Sequence, residues 1–216
     1  FPAERKQEDK DEKLMPVYQL FPEPVYFSKL ERSLTKKELG TLNKYKKKTY
    51  KNDGNMISRD NHVLDHKALG NLKKDLNKTV IDYFNKIVCT SNSITPYITQ
   101  SWINYTQTNQ FHPRHAHPNS YISGVFYINA QKGNDEIEFY KTGYERLLLQ
   151  VSQLNPFNSS SWKYPVETGD VLLFSSSLQH GVDNKKGDNT RTSLSFNVFI
   201  KGKIGDNAKL TELVLK

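Results

Sequence analysis

The sequence has almost no cysteine and no long apolar run. Cys89 is the single cysteine among 216 residues, so the chain cannot form an internal disulfide, and this favours a reducing compartment. No apolar stretch approaches the roughly 20 residues that a membrane-spanning helix needs, and the charged N-terminal residues lack the apolar segment of a signal peptide. We therefore expect a cytoplasmic location and no membrane partner.

Acidic residues are also fewer than basic ones. The chain has 23 Asp and Glu against 31 Lys and Arg, which gives a net charge of +8. Such an excess is found in proteins that bind nucleic acids. Here the lysines concentrate in segments with a helical pattern, and no zinc-finger, RRM or KH pattern is present. A solvated helical face explains the charge better, so a nucleic-acid partner is not favoured.

The residues before about position 90 have helical patterns. Thr35 and Glu38 have the spacing of a capping box, which predicts a helix to about Lys48. Asp65 is the predicted N-cap of a second helix, whose apolar residues recur at spacings of three and four: Leu69, Leu72, Leu76, Val80, Tyr83 and Ile87. Together these segments predict a helical support over about residues 30–90.

After about residue 95 the pattern changes to short β-rich runs separated by turns: Ile98–Tyr105, Tyr121–Asn129, Glu136–Tyr140, Tyr164–Phe174 and Thr190–Ile200. Strands at this density predict an α+β fold with a barrel or jelly roll and with the N-terminal helices packed outside one sheet. We predict a flexible arm over residues 1–14 and a single domain over 15–216 with its β-rich core at about 95–202. Residues 141–163 are predicted to form a long loop or hairpin near the barrel mouth.

Three histidines have the spacing of metal ligands. His115 and His117 are two residues apart, so on a strand both side chains would point to the same face. His180 follows the apolar run Val171–Phe174 and can supply the third ligand from a separate strand. Three protein ligands on one face leave the other positions of an octahedral iron open. We read His115, His117 and His180 as one metal site.

The other histidines are interpreted differently. His62 and His66 are predicted to be solvated surface residues. His112 precedes Pro113 and is predicted to be a loop residue or a neighbour of the ligands rather than a ligand itself.

Arg191 and Ser193 are candidate anion-binding residues. They lie at alternate positions of a predicted strand, eleven residues after His180, and therefore share one face. A guanidinium with a hydroxyl beside it can hold a carboxylate at two points.

Taken together, these motifs resemble the 2-oxoglutarate/Fe(II) oxygenase superfamily. The resemblance is narrower to a His-x-His branch found in marine phages and bacteria, and it is carried by the segments Ser101–Asn104, His115–Ile128, Gly169–Ser175 with His180, and Arg191–Asn197. It covers roughly residues 98–200 well and the helical half weakly.

The resemblance implies the fold, the cofactors and the reaction. The fold would be a double-stranded β-helix (a jelly roll, cupin-like) with its core at about residues 95–202. Fe(II) would be bound by the three histidines, 2-oxoglutarate would be the co-substrate, and O2 the oxidant of a hydroxylation. Arg191, Ser193 and Tyr105 would bind 2-oxoglutarate, because Tyr105 lies ten residues before His115 at the spacing of a co-substrate tyrosine in prolyl-hydroxylase-like relatives. His117 stands where most of the superfamily has Asp or Glu, and this departure puts turnover in question more than metal binding.

Other functions remain open at this stage. The first is a cupin-type dioxygenase with three histidine ligands that does not use 2-oxoglutarate, and the second is a non-catalytic barrel that binds a sugar or a peptide. The third is an oxygenase that acts on nucleic acid, which only the positive charge suggests. The substrate is a small molecule or a peptide, with a prolyl residue as the default expectation. The location would be the host cytoplasm if a phage encodes the chain, and the oligomeric state, a homodimer included, is open.

Overall fold

A computed structural model describes residues 19–143, 147 and 149–216 of the protein. The predicted arm over 1–14 and part of the predicted loop over 141–163 lie outside these residues. The strands of the described part are β1 (Val25–Lys29), β2 (Thr49–Lys51), β3 (Met56–Ser58), β4 (Ile94–Thr106), β5 (His112–His115), β6 (Ile122–Asn129), β7 (Glu136–Tyr140), β8 (Ser161–Pro165), β9 (Asp170–Ser175), β10 (His180–Val182), β11 (Arg191–Ile204) and β12 (Leu213–Leu215). The helices are α1 (Lys36–Tyr45) and α2 (Gly70–Tyr83), with short 3-10 turns at Val63–Asp65, Lys67–Leu69 and Asn207–Lys209 and a π-helical turn at Phe84–Val88.

The strands form two antiparallel sheets. The large sheet has eight strands in the order β1-β9-β6-β11-β4-β3-β2, with β12 paired to the end of β11. The small sheet has four strands in the order β5-β10-β7-β8. Side chains of both sheets meet in one buried cluster, where the rings of Phe139 and Phe174 lie 5.0 Å apart in an edge-to-face arrangement. This mostly-β architecture is the jelly roll that the sequence predicted.

The outer face of the large sheet is covered by apolar side chains of the helical segments. Leu72, Leu76 and Val80 of α2 lie in one buried cluster with Ile103 of β4 and Leu194 of β11. Burial of such aliphatic side chains contributes about 1.5–3 kcal/mol each. The helical support is therefore part of the hydrophobic core of this protein.

Both helices differ from their predicted bounds at one end. The capping box of Thr35 and Glu38 is present, but α1 ends at Tyr45, because Thr49 already belongs to a strand. The predicted N-cap at Asp65 is wrong: this residue ends a 3-10 turn and binds Lys73, and α2 begins only at Gly70.

The apolar stripe of α2 also stops earlier than predicted. The members of the stripe up to Tyr83 are buried, whereas its last member, Ile87, is 40% exposed. The chain winds as a π-helical turn from Phe84 onward, and the wider turn changes the direction of the side chains that follow. Within the described residues, no helix is long and apolar enough to cross a membrane.

Candidate metal and co-substrate site

The three predicted ligand histidines lie together at one end of the barrel. His115 is the last residue of β5 and His180 the first residue of β10, and the two are directly opposite each other in the antiparallel pair. His117 lies just beyond β5, where its backbone amide donates to the Ser176 carbonyl at 3.0 Å. One ring nitrogen of each histidine lies within 4.8 Å of those of the other two. This spacing suits three ligands of one metal ion.

Backbone carbonyls set the tautomers of two of these rings. His115 Nδ1 lies 2.8 Å from the Pro113 carbonyl and His180 Nδ1 lies 3.0 Å from the Leu178 carbonyl. Because a carbonyl only accepts, each Nδ1 carries the proton and each Nε2 keeps a free lone pair. His180 Nε2 is 3.3 Å from His117 Nε2, so the free nitrogens converge on one point. Metal-binding histidines in proteins are oriented by such carbonyl bonds.

The surroundings keep these imidazoles neutral. Burial, reinforced by the neighbouring His115, lowers the pKa of His117 to about 4 and that of His180 to about 3. Burial also lowers the pKa of His115. The neutral ring is the form that can donate a lone pair to a metal ion.

Aromatic side chains fix the orientation of the ligands. Phe174 of the barrel core packs against His180 with ring centroids 4.7 Å apart. Trp102 of β4 stacks on His117 at 5.6 Å. His112 is the first residue of β5 and stacks on His115 at 4.4 Å; the group of described residues that could hold a metal ion does not include it.

Arg191 and Ser193 share a cavity with the three histidines. Both are buried, and Arg191 is only 3% exposed. Its Nη2 donates to the Tyr127 hydroxyl at 3.2 Å, but its Nε has no hydrogen-bond partner within the part of the chain that the structure describes. Among the described residues, no Asp or Glu forms an ion pair with this guanidinium. A buried charge without a counterion is costly, so this cavity favours an anionic ligand.

Tyr105 is not among the described residues that line that cavity, so this geometry does not support its predicted contact with the co-substrate. It pairs with Thr192 in the β4–β11 register, one position away from the Asn104–Ser193 pair that lines the cavity. Because side chains alternate along a strand, Tyr105 faces the opposite side of the sheet, where it joins the helix-covered cluster.

Tyr127 is the tyrosine that contacts Arg191, and sequence reasoning missed it. It lies on β6, and the Arg191 guanidinium lies 5.0 Å from the centre of its ring. Its place as the second-last residue of the segment His115–Ile128 gave no signal, because the β6–β11 register alone brings it opposite Ser193.

Comparison with known proteins agrees with this geometry. Residues 100–197 match the family model described as "Putative 2OG-Fe(II) oxygenase". That range includes the three histidines, Arg191 and Ser193. No curated protein sequence matches the chain.

Solved structures of the same fold include several oxygenases. An oxidoreductase of the 2OG-Fe(II) oxygenase family from Burkholderia pseudomallei is 13% identical, with a TM-score of 0.51 and coverage of 81% of this chain and 83% of that chain. HygX from Streptomyces hygroscopicus, solved with nickel, 2-oxoglutarate and hygromycin B, is 11% identical, with a TM-score of 0.53 and 82% coverage of each chain.

A third similar structure is a prolyl hydroxylase from Trichoplax adhaerens in complex with a peptide of the hypoxia-inducible factor oxygen degradation domain. It is 14% identical, with a TM-score of 0.52 and coverage of 81% of this chain and 83% of that chain. In fold over four-fifths of its length, and in sequence over residues 100–197, this chain is similar to the 2OG-Fe(II) oxygenases, which confirms the resemblance that its motifs carried.

Proposed function

We propose that this protein is an Fe(II)- and 2-oxoglutarate-dependent oxygenase that hydroxylates its substrate. The main observation in support is a single cavity lined both by three histidines with convergent ring nitrogens and by a buried arginine that has no ion pair among the described residues. His115, His117 and His180 would hold the metal ion. Arg191 and Ser193 would bind the distal carboxylate of 2-oxoglutarate, and Tyr127 would hold the guanidinium in place.

The donor set fits both groups. Imidazole is a ligand that iron accepts, and three ligands leave positions free for a chelating co-substrate and for O2. Arg191 offers an unpaired N–H in a rigid fork that matches a carboxylate. When bound, iron and 2-oxoglutarate use O2 to release succinate and CO2 and to place one oxygen atom in a C–H bond of the substrate.

The protein's own residues orient these groups and limit access of water. Phe174 and Phe139 close the barrel side of the metal site with apolar rings. The carbonyls of Pro113 and Leu178 hold two ligands in one tautomer. A prolyl substrate, which the spacing of Tyr105 suggested, loses that support because Tyr105 faces away from the cavity.

The Arg191→Ala variant tests the co-substrate. Loss of a buried charged partner costs about 2–5 kcal/mol, so the dissociation constant for 2-oxoglutarate should rise by roughly 30-fold or more. The dissociation constant of Arg191→Lys should lie between those of the wild type and Arg191→Ala, since Lys provides a point charge rather than a planar fork of donors. The measurement is a calorimetric titration of the Mn(II) protein with 2-oxoglutarate. Arg114→Ala is the matched control, because Arg114 is exposed and binds Gln179 instead.

A three-histidine enzyme that works without 2-oxoglutarate is the second candidate. The observation in its favour is His117, which leaves the metal site without a carboxylate ligand. An unchanged dissociation constant in Arg191→Ala, together with no succinate release under Fe(II), ascorbate and 2-oxoglutarate, would make this the better reading.

A further inference from the structure

A second cleft opens beside the metal site. His117 and Trp102 line both this cleft and the metal-site cavity, so the two spaces adjoin. Its far wall is the β2–β3 hairpin, which contributes Tyr50 and Arg59. Its floor includes Asn197 of β11. A molecule bound here would lie next to the metal ligand His117.

The polar groups of the cleft wall are cationic or neutral. Arg59 is exposed, and its side chain has no acidic partner among the described residues. No Asp or Glu is among the described residues that line this cleft. The neighbouring Asp60 is engaged elsewhere, because its carboxylate accepts a hydrogen bond from the backbone amide of His62. Arg59 is therefore free to bind an anion.

Most charges on the hairpin and just before it are positive, although Asp53 lies in the hairpin turn and Asp60 follows Arg59. Lys46, Lys47, Lys48 and Lys51 are exposed, and none of them has an ion pair within the described chain. Cations at the rim of a cleft raise the local concentration of an anionic ligand and speed its association. The rim and Arg59 thus favour the same class of ligand.

The floor of the cleft supplies two further contacts. The Asn197 side-chain carbonyl oxygen is buried and accepts no hydrogen bond from the described residues. Trp102, which stacks on His117, also lines the cleft and adds an aromatic surface to it. A ligand with an N–H or O–H group and a flat or apolar body would satisfy both residues.

We propose that this cleft binds the substrate and that the substrate carries an anionic group, a carboxylate or a phosphate, which Arg59 holds. The inference rests on the proposed function, because it places the substrate beside the ligand His117. Asn197 would accept a hydrogen bond from the substrate, and Trp102 would pack on its body. Arg59 is then a specificity-determining residue that is separate from Arg191, which binds the co-substrate.

The test compares a carboxylate probe with its neutral amide of the same shape and adds a phosphate probe with the same phenyl ring. The Mn(II) protein is saturated with 2-oxoglutarate, and the paramagnetic relaxation of probe protons is measured by NMR for benzoylglycine, its neutral primary amide and phenyl phosphate. Relaxation reports binding close to the metal ion. At least one anionic probe should bind about tenfold more tightly than the amide, which corresponds to about 1.4 kcal/mol. Which anion is preferred identifies the carboxylate or the phosphate as the group that is recognised.

Two variants connect the preference to Arg59. Arg59→Gln should abolish the preference for the anion, whereas Lys74→Gln, which removes the same charge from an exposed position of α2, should retain it. Equal relaxation for the amide and the anions, no relaxation of either anion, or a preference that persists in Arg59→Gln would overturn the proposal. Failure of the proposed function is seen separately, because the titrations with Mn(II) and 2-oxoglutarate precede the probes.

Discussion

On the outer face of the large sheet, Ile103 of β4 and Leu194 of β11 are fully buried beneath the helical segments. On the inner face of the same two strands, Asn104, Arg191 and Asn197 are also buried, yet each has a side-chain atom that no other described residue hydrogen-bonds. An unsatisfied buried polar group costs about 1–3 kcal/mol. The outer face therefore stabilises the fold, whereas the inner face has a cost that a ligand can offset.

The register of the strands produces this division. Leu194 and Phe196 alternate with Ser193 and Ser195 along β11, and the same alternation runs along β4. Gly124 of β6 lies opposite Phe196, and any side chain there would collide with the Phe196 ring, since an added Cβ would lie 2.2 Å from it. A slip of one residue would exchange the two faces and move Arg191 under the helices.

The largest expected difference between the faces concerns the metal ligands. His117→Ala should weaken Fe(II) or Mn(II) binding by about 1,000-fold or more, because loss of even an outer partner of a ligand costs about 10–100-fold. The variant should remain folded, since His117 is only partly buried. Metal content after dialysis and the circular dichroism melting curve are the measurements.

His66→Asn is the control for that variant, because His66 is exposed and only caps a 3-10 turn. It should retain the full metal content. Full occupancy in both His117→Ala and His180→Ala would show that the three histidines are not the ligands.

A substitution in the core under the outer face should lower stability and leave ligand binding unchanged, which is the opposite of the result expected for His117→Ala. Leu76→Ala removes a fully buried side chain of α2 and should lower the free energy of unfolding by about 3 kcal/mol. The folded fraction should bind 2-oxoglutarate with unchanged affinity. Urea denaturation and calorimetry measure the two quantities.

Ile81→Ala is the matched control on the same helix, since Ile81 is 50% exposed. Its cost should stay below about 1 kcal/mol. If Leu76→Ala weakened co-substrate binding at full folding, the two faces would be coupled and the comparison would fail.

A smaller effect on stability is expected from the buried carboxylate of Glu38 in the helical segments. Glu38 is buried, accepts hydrogen bonds from Arg32 and from the Thr35 amide, and caps α1. The hydrogen-bonded Arg32 guanidinium is the main reason that the pKa of Glu38 is lowered to about 2. Because the folded state lowers this pKa, the stabilisation is complete above the ordinary carboxyl pKa and is lost as the pH falls toward 2.

Glu38→Gln should therefore lower the free energy of unfolding by about 2 kcal/mol at pH 7, and the difference from the wild type should shrink below pH 4.5. Urea denaturation at pH 7, 5 and 3 measures it. A difference independent of pH would assign the effect to packing rather than to charge.

Much of the inner face was predictable from the sequence, because its residues are chemically rare and regularly spaced. The His115–His117 pair, His180 and Arg191 form a pattern that buried apolar residues do not imitate. The strands were predictable because side chains alternate along them and turn residues separate them. The start of α2 was not, because the polar segment around Asp65 has the composition of a helix N-terminus but packs as a 3-10 turn.

The tyrosine that assists Arg191 was unpredictable for a different reason. Tyr105 had the right distance in sequence from His115, but distance in sequence does not determine the face of a strand. The face that Tyr105 occupies depends on which residues of β4 pair with which residues of β11. The tyrosine that comes to lie beside Arg191 depends on a second pairing, between β6 and β11. Such pairings between distant segments are set by packing of the whole barrel rather than by local pattern.

The smallest expected difference separates these two tyrosines. Tyr127→Phe removes the hydroxyl that accepts a hydrogen bond from Arg191, so the guanidinium is less well fixed, and 2-oxoglutarate should bind about three- to fivefold more weakly, or by about 0.5–1 kcal/mol. Tyr105→Phe removes a buried hydroxyl that has no partner, so its affinity for 2-oxoglutarate should be unchanged and its stability equal to or up to about 1 kcal/mol above the wild type. Each is the control for the other, because both lose one buried hydroxyl from the large sheet. Calorimetric titration and urea denaturation of the two variants decide the point, and weaker co-substrate binding in Tyr105→Phe alone would return Tyr105 to the site.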